Sequence, residues 1–117
     1  MRCIVSIGLI VMTLLSCARD EHSEEVLSQR EMVKTLQELY IAEEHVGKLG
    51  LRIDSSRKLF AEMESRIFAD LGVTDSTFKR SFDYYLSHPD QWEQVYSALV
   101  DSLNLREQRL SLPQNPE

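Results

Sequence analysis

From residue 28 to about residue 110, apolar residues return at every third or fourth position, and this spacing constrains the fold most strongly. It places them along one face of a helix, and no stretch of useful length shows the alternation of a strand. Gly50, Gly72 and His88-Pro89 interrupt the pattern. We therefore expect an all-α fold, a small bundle of three to four helices with short connections.

The first helix has a complete start signal. Ser28 and Glu31 form a potential capping box, and Leu27 with Met32 forms a potential hydrophobic staple. Gly50 fits a left-handed C-terminal cap. The residues expected to face inward are Met32, Leu36, Leu39, Tyr40, Val46 and Leu49.

The second helix is expected to start with Asp54, Ser55 or Ser56 as its cap and to end at Gly72, closed by a contact between Phe68 and Val73. Its inward residues are predicted to be Phe60, Met63, Ile67 and Leu71.

The third helix is expected to begin at Thr74, and the fourth begins near Pro89, because proline opens a helix well but does not continue one. The fourth is predicted to end around Leu110, with residues 111–117 as a disordered tail. The expected inward residues of these two helices are Phe78, Phe82, Tyr85, Trp92, Val95, Tyr96, Leu99, Val100 and Leu103.

Over residues 28 to about 105, the chain resembles the family of small lipoproteins known as domain of unknown function 4296. The motifs that carry the resemblance are EMVKTLQELYIAEEHV, FADLGVT and FKRSFDYYLSHPDQWEQVY. The most specific part is the order Gly72-Val73-Thr74, Phe78, Ser81, Tyr84-Tyr85 and His88-Pro89. The resemblance implies a fold and a cellular address, and it brings no catalytic residue to this chain.

The N-terminus has the layout of an export signal: Arg2 precedes an uncharged run from Cys3 to Ala18 that is too short to span a bilayer. Leu14-Leu15-Ser16-Cys17 resembles the lipobox of bacterial lipoproteins, which implies that residues 1–16 are removed and that Cys17 is the lipid attachment site. A thiolate is the nucleophile that such acylation needs. The alternative is an ordinary signal peptide that releases a soluble secreted protein.

Residues 17–27 are expected to form the lipidated cysteine and a flexible stalk, followed by one helical domain over residues 28–110. Acidic residues behind Cys17 resemble an export signal to the outer face of the outer membrane, although a solvated spacer explains them equally well. Loss of Arg2 reduces 13 basic residues to 12, against 19 acidic ones, which gives a net charge of −7. This charge argues against nucleic acid as a partner and leaves membrane attachment to the acyl group on Cys17.

No catalytic constellation, cofactor motif or evident small-molecule substrate emerges from the sequence. Glu43-Glu44-His45 has metal-ligand chemistry, but neighbouring helical residues point about 100° apart, so a solvated helix face is the better interpretation. Tyr84 and Trp92 flank the His88-Pro89 break and are candidates for contact with a protein partner, with core packing as the alternative.

We therefore expect a non-enzymatic lipoprotein of the bacterial envelope, attached to the outer membrane and acting as a protein-interaction or assembly module. Two alternatives stay open. One is a holdase-like periplasmic chaperone, which needs a large exposed apolar patch. The other is a small cell-wall hydrolase, which needs a pocket with two convergent carboxylates.

Overall fold

The computed structural model describes residues 26–112, which form four α-helices and contain no strand. The helices are α1 (Gln29–Lys48), α2 (Ile53–Leu71), α3 (Asp75–Leu86) and α4 (Pro89–Ser111). The predicted all-α bundle is confirmed. The predicted leader, Cys17 and most of the stalk lie outside the described residues, as does the tail beyond Leu112.

The capping box predicted for α1 is present. The Glu31 N–H donates to Ser28 Oγ at 3.3 Å, and the Ser28 N–H donates to Glu31 Oε2 at 2.9 Å. These two bonds satisfy backbone donors that the first turn of a helix leaves free. Local sequence therefore sets where α1 begins.

Glycines end the first two helices as predicted. Gly50 and Gly72 have φ values of +61° and +67°, in the left-handed region of the backbone that residues with a Cβ rarely adopt. At the second of these turns the Val73 N–H donates to the Phe68 carbonyl at 2.9 Å, which closes the end of α2. Pro89 occupies the first turn of α4, also as predicted.

The cap predicted for α2 is wrong. The helix begins at Ile53 with Arg52 as the N-cap, and no side chain caps it. Asp54, Ser55 and Ser56 therefore lie inside the helix. Asp54 lies in the first turn of α2, where its negative charge is stabilised by the positive end of the helix dipole.

Helix α1 contacts the other three helices. Its short connection to α2 makes that pair antiparallel, whereas α4 runs parallel to α1. The direction of α4 follows from two contacts: Met32 and Val95 share the core near the start of both helices, and Arg106 Nη1 lies 4.0 Å from Glu38 Oε1 farther along. Helix α3 covers the end of the bundle where α1 and α4 begin.

The core is centred on this covered end. Its buried residues are Leu27, Met32, Val33, Tyr85 and Val95. A row of aromatic contacts extends it across three helices, from Phe68 to Phe78 (ring centroids 5.2 Å apart), on to Phe82 (6.1 Å) and then edge-to-face to Trp92 (5.7 Å). These contacts attach α2 and α4 to the same short helix α3.

Two hydrogen bonds from α3, which we call the Leu27 clamp, fix the chain just before α1. The Leu27 N–H donates to Ser81 Oγ at 2.8 Å, and the Tyr85 hydroxyl donates to the Leu27 carbonyl at 2.9 Å. Leu27 and both clamping residues are buried. Val26 packs against the same core, so Val26 and Leu27 belong to the folded domain, not to the predicted stalk.

Candidate interaction surface

Tyr84 and Trp92, the predicted partner contacts, are both half-buried and packed against the core cluster. The Tyr84 ring stacks on the His88 imidazole with centroids 4.1 Å apart, and its hydroxyl accepts a hydrogen bond from the Gln91 amide at 3.2 Å. The His88 Nδ1 lies 2.7 Å from the Tyr84 carbonyl, which only accepts, so Nδ1 carries the proton. Both aromatic residues therefore have partners within the chain, and their contact with another protein stays a prediction.

Glu43, Glu44 and His45 are exposed on α1. Glu44 accepts an ion-paired hydrogen bond from Lys48, with 2.7 Å between Oε1 and Nζ. This bond lowers the pKa of Glu44 and raises that of Lys48. Within residues 26–112, no three His, Cys, Asp or Glu side chains are grouped so that they could hold a metal ion.

Several residues predicted to face the core are instead exposed. Tyr40 is 54% exposed, Tyr96 58% and Val100 37%, and Leu49 is exposed as well. For Val100 the reason is a difference in length, because α4 has 23 residues, whereas α3, which packs against it, has 12. Helix α3 covers only the first half of α4, so the apolar face of the second half remains open.

The uncovered faces of α1 and α4 form a groove, which we call the α1–α4 groove. Its volume is about 610 Å³, and it lies between the C-terminal halves of the two helices. The lining from α1 is Tyr40, Ile41, Glu44, His45 and Lys48; the lining from α4 is Val100, Leu103, Asn104, Arg106, Glu107 and Leu110.

The α4 wall of this groove carries a regular apolar row. Leu103 and Leu110 line the groove seven positions apart, and Tyr96, another seven positions before Leu103, extends the row beyond the groove lining. Val100 lies between Tyr96 and Leu103 on the same side of the helix. A seven-residue repeat keeps side chains on one face of a helix. The 14 positions from Tyr96 to Leu110 extend about 21 Å along α4.

The charges of the groove are balanced. Glu44 and Glu107 carry negative charge, and Lys48 and Arg106 carry positive charge. A second depression, at the N-terminal half of α4, contrasts with it: Asp90, Glu93 and Asp101 contribute carboxylates there, and no cationic residue lines it. Of these two surfaces, only the α1–α4 groove combines apolar side chains with a neutral rim.

The sequence pattern assigned Tyr40, Val100 and Leu103 of the groove to the core, because a helical apolar stripe looks the same whether or not another helix covers it. The one available signal was length, since the stripe of α4 continues for more turns than α3 has to cover it. None of the helices in residues 26–112 is long and apolar enough to span a membrane.

Residues 24–109 match the family described as Domain of unknown function (DUF4296), over most of the chain. Neither a curated protein nor a solved structure gives a significant match.

Proposed function

This chain belongs to the family described as Domain of unknown function (DUF4296), and we propose that it is a lipid-anchored, non-enzymatic module of the bacterial envelope. In this proposal the acylated Cys17 holds the domain at the outer membrane, and the α1–α4 groove binds an amphipathic helix of an envelope protein. The observation that carries the proposal is the groove itself, an apolar surface that the helices of the described domain leave open.

The sequence supports the anchor through the lipobox-like Leu14-Leu15-Ser16-Cys17. The structure limits how far the folded domain can lie from an acylated Cys17, because the Leu27 clamp fixes the point where the domain starts. Val26 lies nine positions after Cys17, and even a fully extended chain over that distance spans only about 30 Å. An acylated Cys17 would therefore keep this end of the bundle close to the membrane surface.

The position of the groove suits that arrangement. Tyr40 lies 12 residues after the Ser28 cap, or about 18 Å along α1, and Lys48 lies about 30 Å along it. The groove thus lies toward the end of the bundle farther from the chain's entry point, where a partner helix has access. Confinement to a surface raises the effective concentration of a membrane-attached partner, so a modest intrinsic affinity is sufficient.

The groove residues favour binding over acid–base chemistry. A glycosidase acid needs a raised pKa, but the bond from Lys48 lowers the pKa of Glu44, the α1 carboxylate in the groove. The remaining lining is mostly aliphatic, aromatic or paired in charge, which is the composition of a helix-binding groove with a polar rim.

A holdase-like chaperone is a second candidate, favoured by exposed apolar residues outside the groove, among them Ile53, Leu86 and Leu105. A chaperone would suppress aggregation of many unfolded clients at stoichiometric amounts. A module with one helix-binding groove would not, and a light-scattering assay with two unrelated clients separates the two functions.

Two experiments test the proposal. Mass spectrometry of the protein isolated from its native membrane should show a chain that starts at an acylated Cys17, and Cys17→Ser should move the protein out of the membrane fraction. An intact leader or an unmodified thiol would contradict the anchor.

The groove is tested by placing a photo-crosslinking amino acid at Val100 in intact cells, with Asp101 as the control. The two positions are neighbours on α4 and both exposed, but Val100 lines the groove and Asp101 lines the acidic depression. We expect a defined protein adduct from Val100 and none from Asp101. Equal adducts from both positions would count against the groove.

A further inference from the structure

We propose that the turn between α1 and α2 is a second membrane contact, which inserts into a bilayer that carries anionic phospholipid headgroups. The contact surface, which we call the α1–α2 tip, consists of Leu49, Leu51, Arg52, Ile53 and Arg57. This inference rests on the proposed function in one respect, that an acylated Cys17 holds the domain at a membrane. It does not depend on the α1–α4 groove.

The first argument is the exposure of three large aliphatic side chains on the tip. Leu49 is 48% exposed, Leu51 43% and Ile53 71%, and they occupy alternate positions of the chain through the turn. The turn joins two antiparallel helices, so it projects from the end of that pair. Neighbouring aliphatic side chains on a projecting turn form an apolar surface that the interior of a bilayer can receive.

The second argument is the charge around the tip. Residues 48–58 hold four basic residues and one acidic residue, whereas the rest of the mature chain holds eight basic and 18 acidic residues. The overall charge favoured attachment through the acyl group alone, but that average conceals a cationic segment. Anionic lipid headgroups attract such a segment, because each cation near their surface gains electrostatic free energy.

Two of the four cations are opposed by carboxylates of the same chain. Lys48 Nζ lies 2.7 Å from Glu44 Oε1. Lys58 follows Asp54, the one acidic residue of the segment, by four positions, a spacing at which opposite charges on a helix attract each other. The attraction to lipid must therefore come from the other two cations.

Arg52 and Arg57 are the cations left for lipid phosphates. Both are exposed, and neither forms an ion pair with another residue among residues 26–112. Arg57 lies four positions after Ile53, on the same face of α2, and Arg52 directly precedes Ile53. Each guanidinium therefore lies beside an exposed aliphatic side chain, so the cations can meet phosphate oxygens while the aliphatic groups enter the bilayer.

The size of the tip favours a bilayer over a protein partner. Its five residues are far fewer than the about 20–30 that each side of a stable protein interface contributes. A bilayer needs no surface of matching shape, and a domain that is already anchored needs only a small additional contact to take up a fixed orientation.

The tip and the anchor can reach one bilayer together. Helix α1 extends about 30 Å from Ser28 to Lys48, and the chain from Cys17 to Val26 spans at most about 30 Å. Both contacts form when α1 lies along the membrane surface. No residue of the tip lines the α1–α4 groove, so a helix can bind there at the same time.

The test uses the acylated full-length protein with one added cysteine, Ile53→Cys, labelled with an environment-sensitive dye. An acylated Cys17 has no free thiol and the processed chain has no other cysteine, so the dye reports position 53. The protein is reconstituted into vesicles of phosphatidylethanolamine with phosphatidylglycerol, and into vesicles in which phosphatidylcholine replaces phosphatidylglycerol. The acyl chains hold the protein on both kinds of vesicle, so a difference between them reports the tip.

We expect a blue shift of the dye and quenching by a spin-labelled lipid on the anionic vesicles, and much weaker signals on the neutral ones. A dye that stays in water on the anionic vesicles, or inserts equally into both kinds, would overturn the proposal. Leu86→Cys is the control position, because Leu86 is 51% exposed but has Asp83 and Asp90 as its charged neighbours in the chain. Equal signals from positions 53 and 86 would also overturn it.

Charge variants of the labelled protein measure the electrostatic part. A cation near an anionic bilayer contributes about fivefold to binding, so Arg57→Gln should lower the ratio of inserted to exposed dye about fivefold. Arg66→Gln is the matched control, since Arg66 is exposed on the same helix, about 14 Å farther from the tip. Equal ratios for the two variants would contradict the role of the tip cations.

The outcomes separate this inference from the proposed function. If Cys17 is acylated but the dye stays in water, the anchor is supported and the tip proposal is wrong. If the unmodified chain takes up the dye, Cys17 has a free thiol, and both the anchor and this inference are wrong. If the dye stays in water and a photo-crosslinking amino acid at Leu51 captures one protein in intact cells, the tip binds a protein and not a bilayer.

Discussion

Replacing Ser81 with alanine tests how strongly the fold depends on the Leu27 clamp. Ser81 is fully buried, and its hydroxyl accepts the Leu27 N–H at 2.8 Å while donating to the Thr77 carbonyl at 2.7 Å. In Ser81→Ala the Thr77 carbonyl keeps its helical partner, but the Leu27 N–H is left buried without an acceptor. A buried unsatisfied donor costs about 1–3 kcal/mol, so we expect a loss of about 2 kcal/mol in the free energy of unfolding.

For a domain of this size, that loss corresponds to a fall in Tm of about 8–16 °C. Urea and thermal unfolding of the full-length protein, followed by circular dichroism, measure both quantities. Ser87→Ala is the matched control, because Ser87 makes the same type of bond to the carbonyl four residues earlier, at 2.8 Å to Asp83, but is exposed. A difference below about 0.5 kcal/mol between the two variants would refute the reasoning.

Three further predictions concern stability. Tyr85→Phe keeps the ring but leaves the buried Leu27 carbonyl without its donor, which should cost about 1 kcal/mol in urea unfolding. Burial raises the pKa of Tyr85 in the folded protein, so the contribution of its neutral hydroxyl to stability is complete below a pH of about 10 and is lost as the pH rises through the raised pKa. Tyr85→Phe should therefore make the free energy of unfolding depend less on pH in the alkaline range. An unchanged alkaline profile would contradict this. Gly72→Ala should destabilise the protein by about 1 kcal/mol, because a φ of +67° is strained for a residue with a Cβ, although no nearby atom obstructs that Cβ. Gly47→Ala, inside α1 and equally unobstructed, should stabilise the protein by about 0.5–1 kcal/mol. Equal effects of the two substitutions in thermal melts would refute the backbone argument. Ser28→Ala should lose about 1 kcal/mol through the capping box, and an unchanged Tm would contradict that role.

Local sequence predicted most of the helix ends because the signals involve residues within one turn. The Ser28–Glu31 box, the positive-φ glycines and Pro89 act on the backbone beside them, so no distant contact is needed to interpret them. The start of α2 was mistaken where three capping candidates lay in a row. There the backbone is already helical at Ile53, before any of the three candidates, and no side chain caps it, so the capping pattern did not predict the boundary.

The candidate interaction surface was predicted less well than the helix ends. Tyr84 and Trp92 were chosen because they flank a helix break, and the structure gives both of them partners within the chain. Tyr40 and Val100 were assigned to the core because they lie on apolar stripes, yet they line an open groove. Periodicity identifies the face of a helix that avoids water, but it does not identify what covers that face.

The sequence by itself determined that this chain is helical, where three of the four helices begin, and that a lipobox-like motif precedes the domain. These properties depend on backbone hydrogen bonding and on residues close together in the chain. The tertiary structure alone decided that Leu27 is clamped by residues more than 50 positions away and that α3 stops short of covering α4. Both depend on how helices of unequal length pack in space, which no local pattern records.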